Sequence, residues 1–353
     1  MRKNSKKYKA WKKYQDEKNL KIRTYRKNKN KKGNKNNKKS VNRQTPNEIF
    51  TVPEKFSIID NSNETISFLN KIIKSVEKIR NFQRQRRNNS FIRTFLIDMS
   101  NTNYLTSDAL MYLLTIIKNT RGAKILPINW IGNFPKDTGV NEYLKRSGYL
   151  KYMRTSSENI IQVDDNIQIK NGIGYEYHDG VINRDIRQEI IDFTCEKISK
   201  TKIQINYLMT MLTEMITNIS DHAYQPGGMF EHNWYIFVDN KEDKITYTFM
   251  DNGLGIPTTI RKSIFEKIIE SLDCEDEYKY IEAAIGGVQK RSETGLLERG
   301  NGLPSIYEQY KNKNIDNLVI ISNKAYYSGK IRYDMDDSLY GTIFYWEIKK
   351  EGE

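Results

Sequence analysis

The sequence predicts an α/β fold arranged as two domains behind a basic tail, and three observations lead there. The chain has 353 residues, room for about two ordinary domains, and is too long to need disulfide or metal staples. Its formal net charge of +14 is concentrated at one end. Residues 1–45 hold 19 Lys and Arg against Asp16 and Glu17, a local balance of +17 that leaves −3 for the rest. Beyond the tail, β-rich apolar runs and stretches of helical spacing follow one another, around residues 91–150 and again from residue 182. With only Cys195 and Cys274, no apolar run of bilayer-spanning length and no apolar block behind the basic N-terminus, the expected setting is cytoplasmic, without membrane association.

Residues 1–45 read as a disordered basic tail, because the Lys and Asn runs between Lys27 and Lys39 cannot bury a core. Any attraction to nucleic acid resides there, with Trp11 and Tyr14 as weak stacking groups; a tail that merely solubilises is the plainer reading. An amphipathic helix is expected over 66–79, a buried strand over 91–98 and a helix over 108–118. A strand over 124–130 follows Gly122, and a short helix over 140–146 lies between the Gly132 to Pro135 breaker and Gly148. Together these elements define a small α/β domain over 55–150. Residues 151–181 lack a clear period and carry Gly172, Gly174 and Gly180, which predicts a connector with room for a short hairpin.

The second domain, 182–350, opens with helices expected over 182–199 and 205–222. The latter carries an apolar stripe of Leu208, Met211, Leu212, Met215 and Ile219. On its polar side Glu214 and Asn218 lie one turn apart, with Thr217 and Asp221 beside them. A carboxylate so placed can act as general base on an attacking oxygen while the carboxamide oxygen meets a phosphate-bound Mg2+; a solvated helix face is the alternative. Next, an alternating strand over 245–250 runs into Asp251-Asn-Gly-Leu-Gly-Ile-Pro. There Gly253 and Gly255 allow close backbone approach to a flat ligand, and Asp251 can accept a hydrogen bond from an exocyclic amine; a plain glycine turn competes with this. At 299–306, Gly300 and Gly302 precede an apolar helix pattern with Pro304 in its first turn, where free N–H groups suit a phosphate. The third glycine and preceding strand of a dinucleotide fingerprint are missing, as is any P-loop motif.

In order and context, Glu214-x-x-x-Asn218, Asp251-x-Gly253-x-Gly255, Gly300-x-Gly302 and the late strand beginning Gly341-Thr342 resemble the four motifs of the GHKL ATPases. The resemblance spans about residues 182–350. It implies an α/β sandwich with helices on one face of a mixed sheet, and an ATP and Mg2+ site. In that site Asp251 contacts the adenine amine, Thr342 supports it through water, Asn218 holds the metal and Glu214 is the candidate catalytic base. Gly253, Gly255, Gly300 and Gly302 shape the base and phosphate walls, and residues 257–299, with a helix over 260–272, form an ATP lid. Lys290, Arg291 and Ser292 are candidates to meet the terminal phosphate, with a solvated charged loop as the competing reading.

Residues 214–224 resemble most the anti-sigma factor serine kinases of that family. Residues 96–110 resemble a STAS-like domain, the fold of the antagonists such kinases act on, so one chain holds both halves. The position of the antagonists' phosphorylated Ser is Asp108 here, read mainly as a favourable acid at a helix start and alternatively as a fixed mimic of phosphate. None of His178, His222 and His232 is placed as the phosphoacceptor of a histidine kinase. Three readings follow: a Mg-ATP-dependent ATPase or Ser/Thr kinase-like regulator, with a protein partner engaged through the STAS-like domain; a non-catalytic ATP-dependent interaction switch; and a nucleic-acid-associated ATPase anchored by the tail. Homodimerisation is left open.

Overall fold

The computed structural model describes residues 47–85, 92–121, 126, 128–152, 164–173, 182–222, 233–262, 276–286 and 302–350. The basic tail, Gly300, Lys290, Arg291, Ser292, His178, His232 and most of the expected lid lie outside them.

The first layer is a parallel sheet of β1 (Glu48–Thr51), β3 (Arg93–Asp98) and β5 (Ile128–Gly132), in the order β1-β3-β5. Phe50, Phe95 and Trp130 interlock edge-to-face across the three strands, with ring centroids 5.1 and 5.3 Å apart. A second, minimal parallel pair joins β2 (Lys55–Phe56) to β4 (Tyr104–Leu105). The helices are α1 (Ser62–Gln85), α2 (Ser107–Arg121), α3 (Thr138–Arg146) and α4 (Tyr149–Tyr152). At the start of α3, Asp137 accepts from the Val140 N–H at 2.8 Å, which satisfies one of the unpaired donors of the first turn. The domain expected over 55–150 thus gains a strand, β1, ahead of its expected start.

The second layer is a five-stranded sheet of β6 (Ile167–Ile173), β7 (Asn233–Asn240), β8 (Lys244–Asp251), β9 (Asp316–Ser328) and β10 (Arg332–Lys349), in the order β6-β7-β8-β10-β9. One face carries α5 (Ile182–Ile198), α6 (Asn206–His222), α7 (Ile256–Lys262), α8 (Tyr278–Ile285) and α9 (Gly302–Lys311). The sheet departs from expectation in two ways. It is antiparallel at every junction rather than mixed, because short loops join β7 to β8 and β9 to β10 directly. The segment read as a connector also supplies β6, which pairs with β7 from Ile167 opposite Asp239 to Ile173 opposite Asn233.

The third difference decides the architecture. Helices cover both faces of the five-stranded sheet, not one. Alternate residues of each strand divide between two cores. Trp234, Ile236 and Val238 of β7, Ile245, Tyr247 and Phe249 of β8, and Phe344, Trp346 and Ile348 of β10 join the core with α5 to α9. Tyr235 and Phe237, Met250 and Ile343 join the core that also holds α1 and α2. On the first face Tyr247 stacks on Trp346, its register partner, at 5.0 Å with the rings 2° from parallel. On the second, α2 is buried from Ser107 through Ile117. It touches the sheet through Ser107 Oγ to Thr248 Oγ1 at 3.0 Å and through Tyr112, whose hydroxyl accepts from the Tyr340 N–H (2.9 Å) and donates to the Tyr340 carbonyl (3.2 Å). Helix α1 adds a contact between the Ser62 and Tyr333 hydroxyls at 2.8 Å.

A consequence is that the second domain is not separable. A fragment spanning residues 182–350 exposes Tyr235, Phe237, Met250 and Ile343 and lacks β6, so it should be insoluble or molten. Residues 47–353 should unfold in a single transition followed in parallel by circular dichroism and Trp fluorescence. A soluble, cooperatively folded 182–350 fragment would show that the two layers are independent.

Candidate functional site

Four segments far apart in the chain meet at one cleft on the α5 to α9 face. Its walls include Met215, Asn218 and Ile219 of α6, Asp251 at the end of β8, Gly255, Ile256 and Ile260 around the start of α7, Leu303 of α9, and Thr342 and Phe344 of β10. The free space is small, about 60 Å3, most of its lining is apolar and the polar groups are few.

The register of the sheet sets the floor. Asp251 and Thr342 are direct cross-strand partners, and strand parity turns both towards the helices rather than towards α2. Asp251 is 8% exposed, and its Oδ1 accepts from the Gly253 N–H at 2.7 Å. Burial pushes its carboxyl up to about 6, against the pull of the Gly253 and Thr342 N–H groups. Its remaining acceptor capacity faces the cleft.

The loop after Asp251 is held by residues that no motif marked. Ser322 of β9 is fully buried; its Oγ accepts from the Ile256 N–H at 2.8 Å, donates to the Gly341 carbonyl at 3.0 Å and lies 2.9 Å from Thr342 Oγ1. Asn323, at φ 52°, donates to the Leu254 carbonyl at 3.0 Å and accepts from the Thr258 hydroxyl at 3.0 Å. Two glycines permit this closeness. Gly255 has φ +82°, and a Cβ there would lie 2.5 Å from Asn323 Oδ1; Gly341 has φ +87°, and a Cβ there would lie 2.0 Å from the Asp251 carbonyl oxygen. The signal for Ser322 and Asn323 was present as two polar residues interrupting the apolar run from Leu318 to Ile321.

The remaining expected residues fall at one end. Glu214 and Asn218 share a face of α6 and pack against the first residue of α9: a Cβ on Gly302 would lie 2.7 Å from Glu214 Oε2 and 3.3 Å from Asn218 Nδ2. Asn218 lines the cleft and Glu214 stands one turn back, its carboxyl raised above the ordinary value by burial. Gly253 forms the Asp251 turn rather than the wall. The N-terminus of α9, with Pro304 in its first turn, directs N–H groups to the same end. Among the described residues no group of three or more His, Cys, Asp or Glu is placed to hold a metal, so a cation here would have Asn218 and oxygens brought by a ligand.

Asp108 settles differently. It is 1% exposed and accepts from the Ile58 N–H at 2.6 Å and the Ile59 N–H at 3.2 Å, so it anchors the β2 turn to the start of α2. The helix start from Ser107 to Ala109 is buried and is not a docking surface. Comparison with models of known protein families gave no match, and comparison with curated proteins gave none either. No helix among the described residues is long and apolar enough to cross a membrane.

Two outcomes are expected. Because the folded state raises the Asp251 carboxyl above its unfolded value, the folded chain holds a proton that the unfolded chain has released. This contribution to stability is full below pH about 4 and is lost as pH rises to about 6, a change on the order of 3 kcal/mol. Unfolding free energies of wild type and Asp251→Asn from urea titrations between pH 4 and 7 should diverge by that amount and in that window; parallel curves refute it. Ser322→Ala, which strands the Ile256 N–H, should cost about 1–3 kcal/mol in the same assay.

Proposed function

We propose that the cleft binds Mg-ATP and that the chain is an ATPase or Ser/Thr kinase-like regulator of GHKL type, with residues 48–152 as a STAS-like layer in the same chain. The observation that carries this reading is the convergence of Asn218, Asp251, Gly255, Thr342 and the start of α9 on one cleft, although the segments span more than a hundred residues of sequence. In this reading Asp251 accepts from the adenine amine, with Thr342 beside it. Met215, Ile219, Ile256, Ile260 and Phe344 cover the flat faces of the base, and phosphates lie at the N-terminus of α9. Asn218 and the phosphate oxygens hold Mg2+. Glu214, kept basic by partial burial and placed against Gly302, takes the proton from the attacking water or hydroxyl.

A second reading, the ATP-dependent switch, has its own support. Tyr112 of α2 holds both backbone groups of Tyr340, two residues before Thr342, and Thr115 lies 3.9 Å from the sulfur of Met250, next to Asp251. A shift of either strand on nucleotide binding is therefore felt by α2.

Calorimetry with Mg-ATP, alongside phosphate release, separates these. The intact chain should bind Mg-ATP, with affinity falling as pH drops below about 6 and Asp251 takes up its proton. Asp251→Asn should lose at least about tenfold in affinity, and Glu214→Ala should bind within a few-fold of wild type while losing about 100-fold or more of turnover. Binding without turnover in the intact chain selects the switch; absence of Mg-ATP binding overturns both.

A further inference from the structure

A second, larger cavity lies on the opposite face of the five-stranded sheet. Helix α2 begins at Ser107 over Thr248, so the sheet beyond that point is not covered by it. The uncovered end carries a row set by register: Asp239 of β7 opposite Thr246 of β8, and Thr246 opposite Glu347 of β10. Residues around β4 and α3 line it as well, and the space, open to solvent, is about 890 Å3, the size of a small-molecule site.

The lining is acidic, with six carboxylates against three basic side chains. Five of the six have roles or lie at the rim. Glu347 pairs with Lys244 at 3.1 Å and accepts from Asn317 Nδ2 at 2.8 Å; Asp108 takes two backbone N–H groups; Asp60 accepts from the Tyr104 hydroxyl at 2.9 Å. Asp164 lies 3.8 Å from Arg146, and Glu242 sits on the exposed β7–β8 loop. Asp239 is different. It is 8% exposed, strand parity turns it into the cavity, and among the described residues it has neither a hydrogen bond nor an ion pair. Lys241 and Arg146 act on it only at longer range, and burial pushes its carboxyl up. A carboxylate buried without a partner is costly, and evolution retains one where something else completes it. The Tyr143 phenol is close enough to feel its charge, and Tyr326 and Tyr345 line the same cavity further off, aromatic surface for the body of a cationic ligand.

We propose that this cavity binds a small organic cation, with its ammonium or guanidinium group on the Asp239 carboxylate and its body against the tyrosine rings. A metal ion fits less well, since no group of three or more ligating side chains is assembled among the described residues. An anion meets the wrong charge. The site is separate from the cleft of Asp251, on the other face of the sheet, and does not depend on what that cleft binds.

Isothermal titration of the full-length protein with agmatine and with spermidine at physiological ionic strength tests this. At least one of them should bind at a single saturable site, glutarate should not bind, and Asp239→Asn should weaken the cation at least tenfold. Asp239→Asn keeps the side-chain shape and removes an unpaired buried charge, so its melting temperature should not fall. If it nevertheless fails to fold, Thr246→Leu, which fills the floor beside an intact Asp239, should block binding instead. Absence of binding by both cations, glutarate binding in their place, or undiminished affinity in the folded variant overturns the proposal.

Discussion

The pairing of β8 with β10, from Lys244 opposite Lys349 to Asp251 opposite Thr342, fixes more of this molecule than any other contact. From Ile245 to Asp251 and from Thr342 to Ile348 nearly every residue is buried, and the apolar ones divide between two cores by strand parity, so the register has consequences on both faces. A slip of one residue would send Tyr247 and Trp346 towards α2 and Thr248 towards α6, and would reverse Asp251 and Thr342 at the same time. Site geometry and core packing are therefore one constraint. The stacking of Tyr247 on Trp346 sits in the same register that pairs Asp251 with Thr342 four residues away.

Against that rigid frame the cleft holds the unfavourable local features. A carboxylate is buried at the strand end, Gly255 and Gly341 take left-handed backbone conformations with less room than a methyl group needs, and Asn323 does so with a side chain. The hydrogen bonds of Ser322 and Asn323 run between the segments that carry these features. Such an arrangement holds the floor of the cleft in place before any ligand arrives, which lowers the ordering cost of binding.

Much of this was legible from the sequence. The strands at 93–98 and 244–251 and the helices at 62–85, 107–121, 182–198 and 206–222 follow from apolar spacing, and each lies within a few residues of its expected limits except the helix at 62–85, which extends further at both ends. Glu214, Asn218, Asp251, Gly255 and Gly302 stand out in the sequence because glycine, carboxylate and carboxamide at those spacings have a chemical meaning, whereas Thr342 was marked by the family resemblance alone; the fold brings these segments into one neighbourhood. What was not legible depends on partners distant in the chain. Strand β6 alternates only over Ile167-Gln168-Ile169-Lys170 before Asn171 and Gly172 break the pattern, too short a signal by itself, and it forms on the edge that β7 offers. The second buried face of the sheet, Thr248 and Met250 on β8, looks half polar in one dimension and becomes core only when α2 lies over it. Asp108 has the residue type of a surface helix cap, yet it is sealed inside by Ile58 and Ile59, fifty residues earlier.

The order in which the chain is synthesised gives the shared core a further consequence. Helix α2 is apolar on nearly all sides and emerges from the ribosome early, whereas Val319, Ile321 and Ile343, which belong to the same core, come last. The usual vectorial sequence, in which an N-terminal domain closes before its neighbour is made, is not open to residues 48–152. For some two hundred residues of elongation, at about 5–20 residues per second, the α2 face that carries Ser107, Tyr112 and Thr115 lacks the Thr248, Tyr340 and Met250 it meets in the finished protein. Slower synthesis of β8 to β10 lengthens the time for which that face stands without its cover.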